Sequence, residues 1–391
     1  MKHLNVCVCL LGLIISSSCS QKEKRSLIIV KNTLDIERSF EIVELTKDFL
    51  KVEDLSALGI QDEDTGKLQV TQLVDTNDDG VMDQILFIPK VPANFYKKYV
   101  LVTIDNNQRE KAPELCYSRF VPERIDDYTW ENDKVAFRVY GPTAQKMVED
   151  GNPSGTLSSG VDAWLKKVSY PIINKWYKKT TEGTGSYHKD TGEGLDNFHV
   201  GASRGVGGIA VKVDSSYYYS KNYVKYKTIT TGPLRTSFYL EYEDWDAAGN
   251  TIKESRVMSL DLGNNLTRFI ISLEGVNDIY SGLTLHDRKG IVSGDSDKGW
   301  LSYWEDLERS EIGTGIIAKK NTFLGFEVND SNVKDLSNAY AHLKVENNQV
   351  VYYAGFGWKE SGQFKNKEDW ENYLGMFSRC INSPLIIELV P

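Results

Sequence analysis

Short apolar, β-branched and aromatic runs separated by turn residues recur along the whole chain. They include Ser26–Lys31, Gln84–Pro89, Tyr99–Ile104, Val135–Tyr140, Ile209–Val213, Thr236–Tyr242, Arg268–Leu273 and Val350–Ala354. Strands at this spacing predict sandwiches rather than βαβ units. Helical signals are few. One is predicted over Ala163–Trp176, broken by Pro171, and another over Lys367–Phe377 with Asn366 as its cap. The polar stretch Asp105–Pro113 closes a first unit of sandwich size. The pattern therefore predicts an all-β protein: a small N-terminal β-sandwich over residues 26–112, then one large β unit over residues 113–391, with few helices.

Residues 1–25 change the cellular context. Lys2 and His3 precede the apolar stretch Val6–Ile15, then Ser16-Ser17-Ser18-Cys19 and a polar run to Arg25. The apolar core is too short to span a membrane and reads as an export signal. The small residues before Cys19 resemble a bacterial lipobox, with Ser18 where Gly or Ala is usual. Cys19 would then carry a lipid anchor, the protein's only tie to a membrane, in the periplasm or at the outer membrane. An ordinary secretory peptide is the alternative, and either one exports the chain. With Cys7 and Cys9 in the leader, only Cys116 and Cys380 remain; they could pair with each other, which sequence alone does not show, and no CxxC metal signature is present.

The net charge of −9 argues against a nucleic-acid partner, which requires basic patches. A local group such as Lys189, His199, Arg204 and Arg235 is still suited to one carboxylate. The 21 tyrosines and 8 tryptophans fit strands, and some fit sugar-stacking platforms.

Candidate chemistry concentrates in one window. Residues 183–208 hold eight glycines threaded with Tyr187, His188, Lys189, Asp190, Glu193, Asp196, His199 and Arg204. Such glycine density marks unusual backbone or close approach to a ligand. His188 or Tyr187 can move protons, Arg204 or Lys189 can hold a carboxylate, and paired acids from Asp190, Glu193 and Asp196 would suit glycoside hydrolysis. A solvated glycine-rich loop is the plain alternative. Elsewhere, Asp75, Asn77, Asp79 and Asp83 with Gly80 and the Val81 carbonyl match a calcium loop. Leu86 stands where a bidentate Glu belongs, and an Asx-rich turn explains the same residues. Structural Ca2+ is the only cofactor suggested. His286 follows a strand and turn, where side chains often face a cleft. His342 sits among apolar neighbours as a core histidine would, and Trp300, Trp304 and Glu305 form an aromatic-acid group. The segment Arg119–Asp133, dense in aromatics and charge, fits a cleft wall or a domain junction equally.

Together these residues resemble the DUF4861 family of exported Bacteroidetes lipoproteins. The likeness rests on Arg38-Ser-Phe-Glu41, the Asp-rich hairpin at 75–83, Pro122–Asp133, Tyr187–Asp196, Ala354–Trp358 and Asp369-Trp370. It implies a galactose mutarotase-like supersandwich for the large unit and a partnership with carbohydrate-degrading enzymes, without assigning a reaction or catalytic residues. The expectation is an exported carbohydrate-active protein acting on an oligo- or polysaccharide that contains uronic acid, by lyase or hydrolase chemistry. His188 or Tyr187 would exchange protons, with Asp190 and Glu193 as further catalytic candidates and Arg204 on the acid group. Lys189, His199, Arg235, His286, Trp304 and Glu305 would contact substrate. A non-catalytic glycan-binding lipoprotein and a mutarotase or epimerase are the competing readings.

Overall fold

The computed structural model describes residues 26–390, so Cys19 and the leader lie outside the described residues. The chain is built almost entirely from antiparallel strands, with few helices. Two sheets form the N-terminal sandwich. One orders Ile386–Val390, Leu27–Lys31, Tyr96–Thr103 and Leu58–Asp62, and the other orders Val43–Thr46, Gln84–Phe87 and Gln72–Val74. They share a core of Ile28, Val30, Leu45, Ile60, Ile85, Phe87 and Tyr99. The last strand of the chain therefore completes the first sandwich, pairing Leu27↔Val390 through Lys31↔Ile386. Sequence spacing carries no sign of that return.

Residues from Tyr117 to the end of the helix Lys367–Asn382 form a larger stack. A nine-stranded sheet runs from Tyr223–Thr230 at one edge to Ile291–Asp295 at the other. Two five-stranded sheets cover one of its faces through a common core that includes Trp130, Phe137, Ile209, Phe238, Phe269, Leu283 and Phe356. Those two sheets meet end to end, where Val161 N–H donates to the Arg204 carbonyl (3.2 Å) and Val206 N–H to the Val161 carbonyl (2.8 Å). The opposite face of the large sheet receives the helix Lys367–Asn382, capped as expected by the Asn366 side chain. Trp370 and Leu374 lie directly on Gly313 and Gly315, where an added Cβ would approach them to 2.5 and 2.9 Å. Glycine at these strand positions is what lets the helix dock.

The two units are pinned by buried charge. Arg38, wholly buried, pairs with Glu41 and donates to the Ser383 carbonyl (2.6 Å), tying the opening of the chain to the end of the long helix. Arg235 bridges Glu44 and Asp261, at 2.5 Å each. Among the described residues, the cysteines Cys116 and Cys380 are free and buried.

The predicted helix over 163–176 is corrected. Asp162–Lys166 is a fully buried strand between Ala136–Val139 and Gly194–Leu195, and the helix runs over Ile173–Thr181, after Pro171. Pro171 therefore separates strand from helix instead of breaking a helix, because proline cannot donate within either ladder. The helix Pro142–Glu149, with proline at its first position, carried no periodic signal strong enough to be expected.

Candidate functional site

The site is built on the strand Ala136–Val139. Its alternation sends Phe137 and Val139 into the main core and Arg138 to the other side. There the helix Ile173–Thr181 brings Trp176 and Tyr177 against Trp164 and Tyr187. The helix start is fixed by Glu131, whose carboxylate accepts from the N–H groups of Ile172 and Ile173 (2.9 Å each) and pairs with buried Lys166 (2.7 Å). A carboxylate is favoured at this end of a helix.

Arg138, 5% exposed, is the hub. Its Nη2 donates to Asp162 (2.5 Å) and to Asp196 (2.9 Å), while Nη1 lies 3.8 Å from Asp127 and 3.4 Å from the Tyr187 hydroxyl. Arg124 donates to the same hydroxyl at 3.3 Å, and the Tyr177 hydroxyl donates to Asp127 at 2.9 Å. Three buried carboxylates around one guanidinium cannot all ionise cheaply. Burial pushes Asp127 up to about 6, against the pull of Arg138 and Arg124. Burial, then the charge of Asp196, raises Asp162 well above the ordinary carboxylate range. Burial works against the charge on Arg138, but Asp196 and Asp162 more than offset it and hold its proton tightly.

His188 stands over this network with 60% of its side chain exposed. Its Nδ1 lies 2.7 Å from the Asp196 carbonyl and 3.6 Å from the Asp196 carboxylate. A carbonyl only accepts, so the hydrogen bond assigns the proton to Nδ1 and leaves the Nε2 lone pair free. The ring borders a cleft of about 480 Å3 lined by Arg138, Tyr140, Asp196, Phe198 and His199 among others. With Asn197 it also borders a second hollow of about 350 Å3, which contains Lys189, Asp190, Arg309 and Trp358. His188 is thus a ridge between two depressions.

The predicted residues divide accordingly. His188 and His199 reach the first cleft, and His199 pairs with Asp335 at 2.9 Å. Lys189 and Asp190 reach the second, although Asp190 holds Lys167 (2.5 Å) and the N–H groups of Gly192 and Gly194. The others lie elsewhere. Tyr187 is buried in the aromatic cluster beneath, its hydroxyl between two arginines. Glu193 accepts from Tyr170, Lys175 and Trp176, which leaves it no role at the cleft.

Arg204 is corrected as a carboxylate holder. It is fully buried, donates to Ser159, Ala202 and Ile209, and lies 3.9 Å over the Tyr219 ring. Arg235 belongs to the seam between the two units. His286 sits behind the cleft wall, bound to Glu305 and in edge contact with Phe198. Trp304 and Glu305, neighbours on one strand, point to opposite faces, with Trp304 under the long helix. His342 is only half-buried, stacked on Tyr280 at 4.4 Å.

In the 75–83 loop, Asp75 accepts from the N–H groups of Asn77, Asp78 and Gly80, and Asp79 from that of Val81. Asp83 accepts from Thr76 and pairs with Lys47. The turn is closed by its own hydrogen bonds. Among the described residues, no three His, Cys, Asp or Glu side chains converge as metal ligands.

Sequence reading missed Arg138, Tyr140, Asp162, Phe198 and Arg309. One signal was available: an arginine inside the apolar run Val135–Tyr140 demands a buried counter-charge.

A family model described as a domain of unknown function, DUF4861, matches residues 30–387. The chain belongs to this family. An uncharacterized protein of Formosa agariphila is 52% identical over 394 residues, covering 100% of both chains. Among solved structures, an alpha-mannosidase from Enterococcus faecalis aligns with a TM-score of 0.50 at 9% identity, covering 94% of this chain and 46% of that one. A protein in the glycosyl hydrolase family 38 from the same organism aligns at 0.45 and 9%, covering 94% and 48%. The DUF4861 chain spans about half the length of these solved structures. The first match speaks to the shared β fold alone.

Proposed function

We propose that this DUF4861 protein is an exported carbohydrate-active protein, tethered through Cys19, that performs acid–base chemistry on a uronic-acid-containing glycan at the His188 cleft. One observation carries the reading: a histidine whose Nδ1–H is fixed by Asp196 and whose Nε2 is free at the mouth of a cleft. That is the arrangement of a general base. In an elimination, Nε2 takes the proton next to the sugar carboxylate, the electron pair forms the C=C bond, and the glycosidic C–O bond breaks. Tyr140 lines the same cleft and would protonate the leaving oxygen. Burial and the charge of Asp162 keep its phenol protonated and make it a weaker acid than a free tyrosine, so its proton moves only as negative charge develops on the leaving oxygen. A fold shared with an alpha-mannosidase is compatible with sugar chemistry and does not choose the reaction.

The test incubates the purified mature protein with a panel of uronate oligosaccharides, following unsaturated-uronate absorbance and new reducing ends together. Elimination gives both, and His188→Ala lowers the rate by roughly 10²–10⁴-fold. Reducing ends without absorbance would make the reaction a hydrolysis. Silence in both channels, with glycan still bound, would replace the enzyme by a binding protein.

A further inference from the structure

The second hollow differs from the first in holding cations that nothing neutralises. Lys189 and Arg309 both line it, both are exposed, and no carboxylate of the described residues lies within ion-pair distance of either. The other charges there are Asp190 and Glu360, both paired with Lys167 (2.5 and 3.6 Å), and Glu308. Arg309 is set by its hairpin. Strands Trp300–Leu307 and Ser310–Ala318 turn through Glu308, which takes a left-handed φ of 55°. Such a conformation is uncommon for a residue with a Cβ.

Arg309 also borders a third depression, of about 500 Å3, but there Asp306, Glu308, Glu311 and Glu360 outnumber Arg309 and Lys359, so an acidic chain is favoured no further than Arg309. The three hollows follow one another. His188 stands between the first two, and Arg309 between the last two. A single sugar would need only one of them.

We propose that the ligand is an anionic oligosaccharide lying along the first two hollows, on both sides of His188, with Lys189 and Arg309 holding an acidic substituent, carboxylate or sulfate, and its chain ending at Arg309. The proposal rests on the carbohydrate reading above and names the substrate class for the same site. Arg309 acts as a specificity residue: its planar guanidinium matches an oxyanion in two-point contact, while Lys189 adds a mobile point charge.

The test measures binding calorimetrically, with the full mature chain and three sets of hexasaccharides. These are uronates (galacturonate, glucuronate, mannuronate), their carboxyl-reduced neutral counterparts, and sulfate esters of the neutral chains. At least one acidic set is expected to bind roughly tenfold or more tightly than its neutral counterpart, the preference shrinking with salt. The two acidic sets separate carboxylate from sulfate. In Lys189→Ala/Arg309→Ala the preference is lost while neutral chains bind as before, and Lys189→Ala/Arg309→Lys restores part of it. Trimers are expected to bind more weakly than hexamers.

Equal affinity for acidic and neutral chains, a preference that survives the double alanine variant, or no binding to any acidic chain would each overturn the assignment. The catalytic reading fails separately: acid-selective binding without product sinks the base role of His188 and leaves the anion site, and turnover without acid preference does the reverse.

Discussion

The two hollows flanking His188 both contain arginine, and they use it in opposite ways. Arg138, in the first, is buried and surrounded by Asp127, Asp162 and Asp196, so its charge is consumed inside the protein. Arg309, in the second, sits exposed on a hairpin tip with no ion-pair partner among the described residues. A buried guanidinium needs its donors met inside the protein to be tolerated, and once held it organises its neighbours instead of binding a ligand. An exposed one costs the fold almost nothing and remains available. Burial likewise removes Arg235, paired with Glu44 and Asp261, and Arg204, held by Ser159 and two backbone carbonyls, from the binding surface, while Arg138 is the scaffold for the Asp196–His188 pair.

The sharpest way to break this contrast is to delete the scaffold charge. Arg138→Leu strands three buried acids and is expected to cost about 3–5 kcal/mol in urea unfolding, with partial recovery when Asp162→Asn is added. A loss under about 1 kcal/mol would mean that the cluster is open to solvent.

Next in size is the pH response of the buried acids. Asp127 has its folded pKa raised from 3.8 to about 6, so its protonated form is the stabilised one. Relative to Asp127→Asn, the wild type should lose stability as pH rises from about 4 to about 6, by on the order of 2–3 kcal/mol, and change little above. Parallel urea midpoints from pH 4 to 8 check this. A flat difference across the window would show Asp127 ionised throughout.

Arg309→Ala and Lys189→Ala should move unfolding free energy by less than about 0.5 kcal/mol, as exposed unpaired side chains do. A larger loss would make them structural, like Arg138. The smallest effect concerns the 75–83 loop. Its oxygens already serve backbone N–H groups, so exchanging chelator for millimolar Ca2+ should leave the melting temperature unchanged. A rise of several degrees, abolished by Asp75→Ala, would place a cation there.

The strand content and the long helix with its Asn366 cap were legible because each rests on local pattern. Strand runs report themselves by composition, and a cap by the residue at one position. The window was legible as a place but not as a set of roles. Tyr187, Lys189 and Glu193 look equally available in sequence, yet seven residues hold a buried hydroxyl, an exposed cation and a carboxylate clamped by Tyr170, Lys175 and Trp176. Burial decides among them, and burial depends on the helix Ile173–Thr181 packing from outside the window.

Sequence by itself determined the all-β class, the residues rich in polar chemistry and the kinship to DUF4861, since these follow from residue identity and short-range order. Tertiary structure alone decided that the last strand closes the first sandwich, and that Arg138 gathers acids from positions 127, 162 and 196. It also placed a hairpin tip at position 309 beside the loop of residue 189. Pairing over such separations is governed by which apolar faces must be buried together and which buried charges must be cancelled. Neither requirement leaves a mark at any single position of the chain.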